Sequence, residues 1–299
     1  MIEVSNVSKN FAGLEALNDV TLTVHKGSIY GLVGSNGAGK TTLLKLLAGI
    51  YQPDRGAVTL DAQPVFENID IKGRMVFIPD HLYFFNNYTI NDMAGFYRSI
   101  YPDWSQERFN RLAEVFKFDV KRRIKTLSKG MQRQVAFWLG FALMPEVMVL
   151  DEPLDGLDPV MRQKVKNLMV QDVADREMSI IISSHNLREL EDICDYIGIL
   201  HRGSMLIQRE LDDLKADVHK IQLAFTSDVP AGLYADLQPL YRETRGSVHI
   251  LIIRGNHDDV INRISKYHPA ILDVLPLTLE EIFIYEMGDN GYEIQNIIY

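Results

Sequence analysis

The sequence predicts an α/β fold built on a mainly parallel β-sheet, with an antiparallel β region at its N-terminus and a small α+β domain appended. Three observations carry this prediction. Apolar runs at Met75 to Ile78, Val147 to Leu150, Ser179 to Ser183 and Tyr196 to Leu200 are separated by helical segments, the alternation expected of parallel strands joined by helices. A nearly continuous apolar run, Ile29 to Val33, leads directly into a glycine-rich turn and then a leucine-dense helix, Thr41 to Leu47. The charged stretch Asp212 to Lys220 breaks the pattern, after which short strands and helices begin afresh.

The N-terminal β region opens with Ile2 to Val4 and Thr21 to Val24. Residues from about Asn91 to Met144 are rich in helix and stand apart from the central sheet. With the boundary near Val218, the first domain is expected over residues 1–217 and the second over 218–299. The second reads as strand Ile221 to Phe225, helix Gly232 to Tyr241, strand Val248 to Ile253, helix Asp258 to Tyr267, strand Ile271 to Leu275 and helix Leu279 to Met287.

A chain of 299 residues, 46% of them hydrophobic and 24% charged, can bury a core of ordinary size. Its formal net charge of -9 argues against a general nucleic-acid binder, and the basic cluster Lys121 to Lys125 reads as a solvated turn. One cysteine, Cys194, precludes an internal disulfide and suits a reducing compartment. The first residues carry no signal-type segment, and the most apolar stretch, Val135 to Met144, is too short to span a bilayer.

Gly34-Ser35-Asn36-Gly37-Ala38-Gly39-Lys40-Thr41 fits the pattern G-x-x-x-x-G-K-[ST], directly after one strand and before one helix. Glycines let successive backbone N–H groups turn inward on phosphate oxygens, and the helix N-terminus adds partial positive charge. Lys40 reaches β and γ phosphates, the Thr41 hydroxyl suits Mg²⁺, and Thr42 continues the cradle. Further on, the apolar strand Val147 to Leu150 ends in Asp151 and Glu152. It delivers Asp151 towards the same Mg²⁺ and Glu152 towards an attacking water. Leu127-Ser128-Lys129-Gly130-Met131 enters another helix, where Ser128 is either a helix cap or a second anion contact.

The ordered motifs Gly34 to Thr41, Leu127 to Met131, Leu150 to Pro153, Asp158 and Ser184-His185 resemble the ATP-binding subunits of ATP-binding cassette (ABC) transporters over about residues 1–217. The resemblance implies a P-loop cassette fold with a helical subdomain at about 91–144, ATP and Mg²⁺ as ligands, and ATP hydrolysis. It implies that Phe11 stacks on adenine, that Ser128, Lys129, Gly130 and Met131 face ATP held by another cassette, and that Asp158 lies on a loop crossing the dimer interface. His185 is implied to contact the γ phosphate. The implied partners are a second cassette, identical or related, and a separate transmembrane permease, which places the chain on the cytoplasmic face of the cell membrane without nucleic acid.

Two segments depart from the family pattern. Lys129 and Met131 stand where the signature usually has glycine and glutamine, and Asp80 follows Pro79 where a glutamine is usual. An aspartate there is expected to ligate Mg²⁺ directly or through water. The aromatic run His81 to Tyr88, with Phe96, Tyr97, Tyr101 and Trp104, is either a permease-docking face or core. Tyr101-Pro102-Asp103-Trp104 and the C-terminal appendage resemble a bacterial exporter subgroup. The alternative is a low-turnover cassette that uses ATP as a dimerisation switch. Tandem ribosome-acting cassettes and chromosome-organising ATPases fit less well, since only one phosphate loop is present and no long coiled coil separates Thr41 from Asp151.

Overall fold

The computed structural model describes residues 1–282 and divides the chain into two compact units, Met1 to Gln208 and Arg209 onward. In the first unit, β1 (Ile2–Phe11) pairs antiparallel with β2 (Leu14–Val24) and with β4 (Arg55–Leu60), which turns back into β5 (Gln63–Pro64). Both leading strands run well beyond the expected segments. Their alternating burial, with Ile2, Val4, Val7, Val20, Leu22 and Val24 inside, is that of strands with one face on a core.

The second sheet of this unit has six strands in the order β10-β9-β3-β8-β7-β6. These are β3 (Ile29–Val33), β6 (Met75–Ile78), β7 (Val147–Leu150), β8 (Ser179–Ser184), β9 (Tyr196–His201) and β10 (Ser204–Glu210). Parallel pairing links β3 to β8 and β9, and β7 to β6 and β8, as the expected mainly parallel core requires. Every residue of β3, β7 and β8 is buried, which is why they read as apolar runs without alternation.

The helices of the first unit are α1 (Lys40–Leu47), α2 (Ile69–Gly73), α3 (Ile90–Ile100), α4 (Gln106–Phe116), α5 (Lys129–Ala142), α6 (Pro159–Arg176) and α7 (Leu187–Glu191). α3 starts in a capping box between Thr89 and Asp92. α4 and α5 are clamped by Trp138, which stacks on Phe109 at 4.7 Å and donates its indole N–H to the Phe109 carbonyl at 2.8 Å. No helix among the described residues is long and apolar enough to cross a membrane.

The second unit contains α8 (Leu211–Ala216), β11 (Val218–Ala224), α9 (Leu233–Leu237), β12 (Tyr241–Arg245), β13 (Val248–Arg254), α10 (His257–Ser265) and β14 (Ile271–Leu275). Its sheet is antiparallel in the order β12-β13-β11-β14, a split βαβ arrangement. Ile221, Leu223, Leu251 and Ile253 on one face meet Leu233, Leu237, Val260 and Ile264 of the two helices. The expected helix Gly232 to Tyr241 is corrected: α9 stops at Leu237, and Tyr241 begins β12, which hairpins through Gly246 at φ 64° into β13. The expected final helix is present over Leu279 to Ile282, and its remainder lies outside the described residues.

Candidate functional site

The phosphate loop runs from β3 into α1. Gly39 caps α1 at φ 107° with no side chain to occupy the first-turn N–H groups, so these remain available to an anion. A Cβ at Gly39 would lie 2.7 Å from the Ala16 carbonyl oxygen, and one at Gly34 would lie 2.3 Å from that of Leu200. Glycine at both positions therefore permits the close approach of neighbouring chain. Lys40 is buried, its ammonium donating to the Gly34 carbonyl at 2.6 Å and standing 3.2 Å from Glu152 Oε1.

Across the sheet, β7 ends in the two expected carboxylates. Asp151 is 2% exposed and accepts hydrogen bonds from Thr41 Oγ1 and Ser183 Oγ, each at 2.8 Å. Thr41 and Asp151 thus set two hard oxygen donors side by side, a donor set that fits Mg²⁺. Glu152 adopts φ 44°, its backbone N–H donates to Ser183 Oγ at 2.9 Å, and its Oε2 lies 2.9 Å from His185 Nδ1. Ser183 carries no motif of its own in the sequence, although it lies near the end of β8, two residues before His185.

A cavity of about 570 Å³ opens onto the phosphate loop and Glu152, and neither Asp151 nor His185 is among its lining residues. Its lining includes Phe11, Ser35, Asn36, Gly37, Gly39, Lys40, Thr41, Thr42, Asp80 and Glu152 from the expected set, and Leu14 to Ala16, Arg202 and Gly203 in addition. Phe11 is no core residue: it is 38% exposed, touches Tyr51 edge-on and lies beneath the Lys9 ammonium. Ala38 is buried, donating its N–H to the Ser35 carbonyl inside the loop.

The chain's residues 17–155 match the family model described as ABC transporter. The ABC transporter ATP-binding protein YtrB of Bacillus subtilis (strain 168) is 34% identical over 288 residues, 96% of this chain and 98% of that protein. This chain belongs to the ATP-binding proteins of ABC transporters. Another relative, the bacitracin transport ATP-binding protein BcrA of Bacillus licheniformis, is 28% identical over 72% of this chain and 71% of its own length. A solved ATP-binding subunit of an ABC transporter superposes with a TM-score of 0.67 at 28% identity, covering 72% of this chain and 92% of that one. The fold is the P-loop cassette, and the family's activity is ATP hydrolysis.

In this ABC ATP-binding protein the signature segment lies apart from the cavity. Ser128 caps α5 by accepting the Met131 N–H at 3.3 Å, and neither it nor Lys129, Gly130 or Met131 lines the phosphate site. Gly130 has its own steric reason: a Cβ there would lie 2.3 Å from the Gly156 carbonyl oxygen. Asp158 caps α6 by accepting the Met161 N–H at 3.0 Å, with Pro159 in the first turn. The aromatic segment divides. Phe84 is buried, Tyr83 is exposed, and burial pushes the Tyr97 hydroxyl up to about 12.

Proposed function

We propose that this ATPase subunit closes against a second cassette with ATP between them and drives a separate transmembrane exporter from the cytoplasmic face of the membrane. The observation that carries the reading is the one-sidedness of the site. Phosphate-loop residues including Lys40 and Thr41 line one cavity with Glu152, while Ser128 to Met131 stand exposed or half-exposed at the start of α5, outside it. A second copy, or a related cassette, would present that helix start to the γ phosphate, where the helix dipole and the Ser128 hydroxyl favour an anion.

Within each site, Phe11 stacks on adenine and residues Ser35 to Thr42 hold the phosphates with Lys40. Thr41 and Asp151 hold Mg²⁺, which when bound neutralises charge on the transferred phosphoryl group. Glu152 orients and deprotonates the attacking water, and His185, hydrogen-bonded to it, senses the γ phosphate. The exposed Tyr83 beside Phe85 offers an aromatic anchor to the permease. Export, rather than uptake, rests on the resemblance of the Tyr101 to Trp104 segment and the C-terminal appendage to an exporter subgroup. Residues 218–299 serve as an accessory domain to the ATP-binding domain of residues 1–217.

Replacing Glu152 with Gln is expected to stop turnover while leaving binding intact, trapping an ATP-dependent dimer on size exclusion. A monomer at saturating Mg-ATP would rule out self-pairing.

A further inference from the structure

Arg133 makes contacts that phosphate binding alone does not explain. It sits on α5 one turn after Lys129 and is only 8% exposed. One arm of its guanidinium, Nη1, donates to the backbone carbonyl of Glu152. The other, Nη2, donates to the backbone carbonyl of Asp80 at 2.6 Å and to Asp80 Oδ1 at 3.1 Å. Of these three acceptors two are neutral, so Asp80 supplies the charge that balances a buried cation. The other Asp80 oxygen lies 2.8 Å from His81 Nδ1.

Glu152 sits at φ 44°, a left-handed conformation that a non-glycine residue keeps only where its surroundings hold it. Three groups grip its peptide units: Ser183 Oγ accepts from its N–H, while Arg133 and, at 3.4 Å, the Asp155 N–H donate to its carbonyl. The Ser183 grip comes from the sheet, whereas the Arg133 grip comes from the helix that begins with the signature segment. An arginine fork suits this task, since its planar donors reach two acceptors in fixed geometry.

We propose that Arg133 is a positioning residue for Glu152, and that Asp80 acts by holding Arg133 in place rather than as a Mg²⁺ ligand. The proposal rests on Glu152 carrying hydrolysis. It makes the departure at Asp80 intelligible: the aspartate belongs to an ion pair with α5. It also ties the geometry of Glu152 in one site to the position of Ser128 to Met131, the segment offered to the other site. Movement of the first turns of α5 then pulls directly on the Glu152 carbonyl.

The test uses the purified full-length chain, with ATP binding, steady-state hydrolysis and Mg²⁺ titration measured for Arg133→Gln, Arg133→Lys, Asp80→Asn and Glu152→Gln. Arg133→Gln and Asp80→Asn are expected to lower kcat by about tenfold or more, because small misplacements of a catalytic group are costly. The KM for ATP and the Mg²⁺ concentration giving half-maximal rate stay within about twofold, a split that general loss of structure would not produce. Arg133→Lys, which keeps charge but loses the fork, falls between. Asp80→Asn adds little in the Arg133→Gln background, because both act through one contact.

A raised Mg²⁺ requirement in Asp80→Asn together with an unchanged kcat in Arg133→Gln overturns the proposal. Should Arg133→Gln fail to fold, wild-type kcat in both Arg133→Lys and Asp80→Asn overturns it equally. An inactive Glu152→Gln beside an active Arg133→Gln defeats the positioning role alone. A fully active Glu152→Gln removes the reading of Glu152, and this proposal with it.

Discussion

At the scale of single residues, two kinds of constraint shape the site. Lys40, Thr41, Asp151 and Glu152 are held by direct polar contacts, Thr41 to Asp151 at 2.8 Å and Lys40 to Gly34 at 2.6 Å and to Glu152 at 3.2 Å. Gly130 is held by exclusion, since any side chain would meet the Gly156 carbonyl. Gly130→Ala therefore displaces the first turn of α5 and is expected to cost about 1–3 kcal/mol, as overpacking does. A lowered thermal midpoint with nucleotide affinity of the monomer unchanged would match this; weakened affinity would contradict it, because Gly130 does not line the cavity. The phosphate loop was legible in the sequence because its chemistry is local, a strand, glycines and a helix start in one continuous stretch. Arg133, Ser183 and Arg202 were not legible. Each reaches the site through strand register or helix packing, and nothing about an arginine or serine in isolation announces such a reach.

At the scale of elements, the tip of the β1–β2 hairpin carries Phe11 and is anchored from outside. Asp54, just before β4, accepts from Lys9 Nζ and from the Asn10 N–H, each at 2.7 Å. The Lys9 hydrogen bond first, and the Asn10 N–H after it, hold the Asp54 carboxyl below its ordinary value. A depressed carboxylate contributes fully above the unfolded value of about 3.9 and loses its contribution as pH falls through the folded one. Asp54→Ala is accordingly expected to weaken ATP binding about threefold, by the same factor from about pH 8 to about pH 5. Titration of a fluorescent ATP analogue across that range measures it, and a ratio that shrinks towards pH 5 would count against the anchor. Strands buried on both faces were legible from their apolar runs, whereas β12, Tyr241 to Arg245, was not: it is an exposed, charged edge strand with no hydrophobic alternation.

At the scale of the whole molecule, the two units have separate cores, one around both sheets of the cassette and one between the β12-β13-β11-β14 sheet and its helices. A fragment of residues 1–210, which keeps β10 entire, is expected to bind ATP with nearly the affinity of the full chain; loss of binding on calorimetric titration would show that the cassette depends on the second unit. The charged break read in the sequence lies at Asp212 to Lys220 and the compact units meet at Gln208 and Arg209, while the hairpin that makes the second unit a split βαβ fold depended on long-range pairing. The six-stranded sheet places β3 between β8 and β9, residues that follow it in the chain by well over a hundred positions. During synthesis the phosphate loop therefore emerges early, on a strand whose two neighbours do not yet exist. Both flanking strands are complete only once the chain has been made past His201, and a message cut short before the codon for Ser179 encodes every residue of the loop but neither strand that flanks β3.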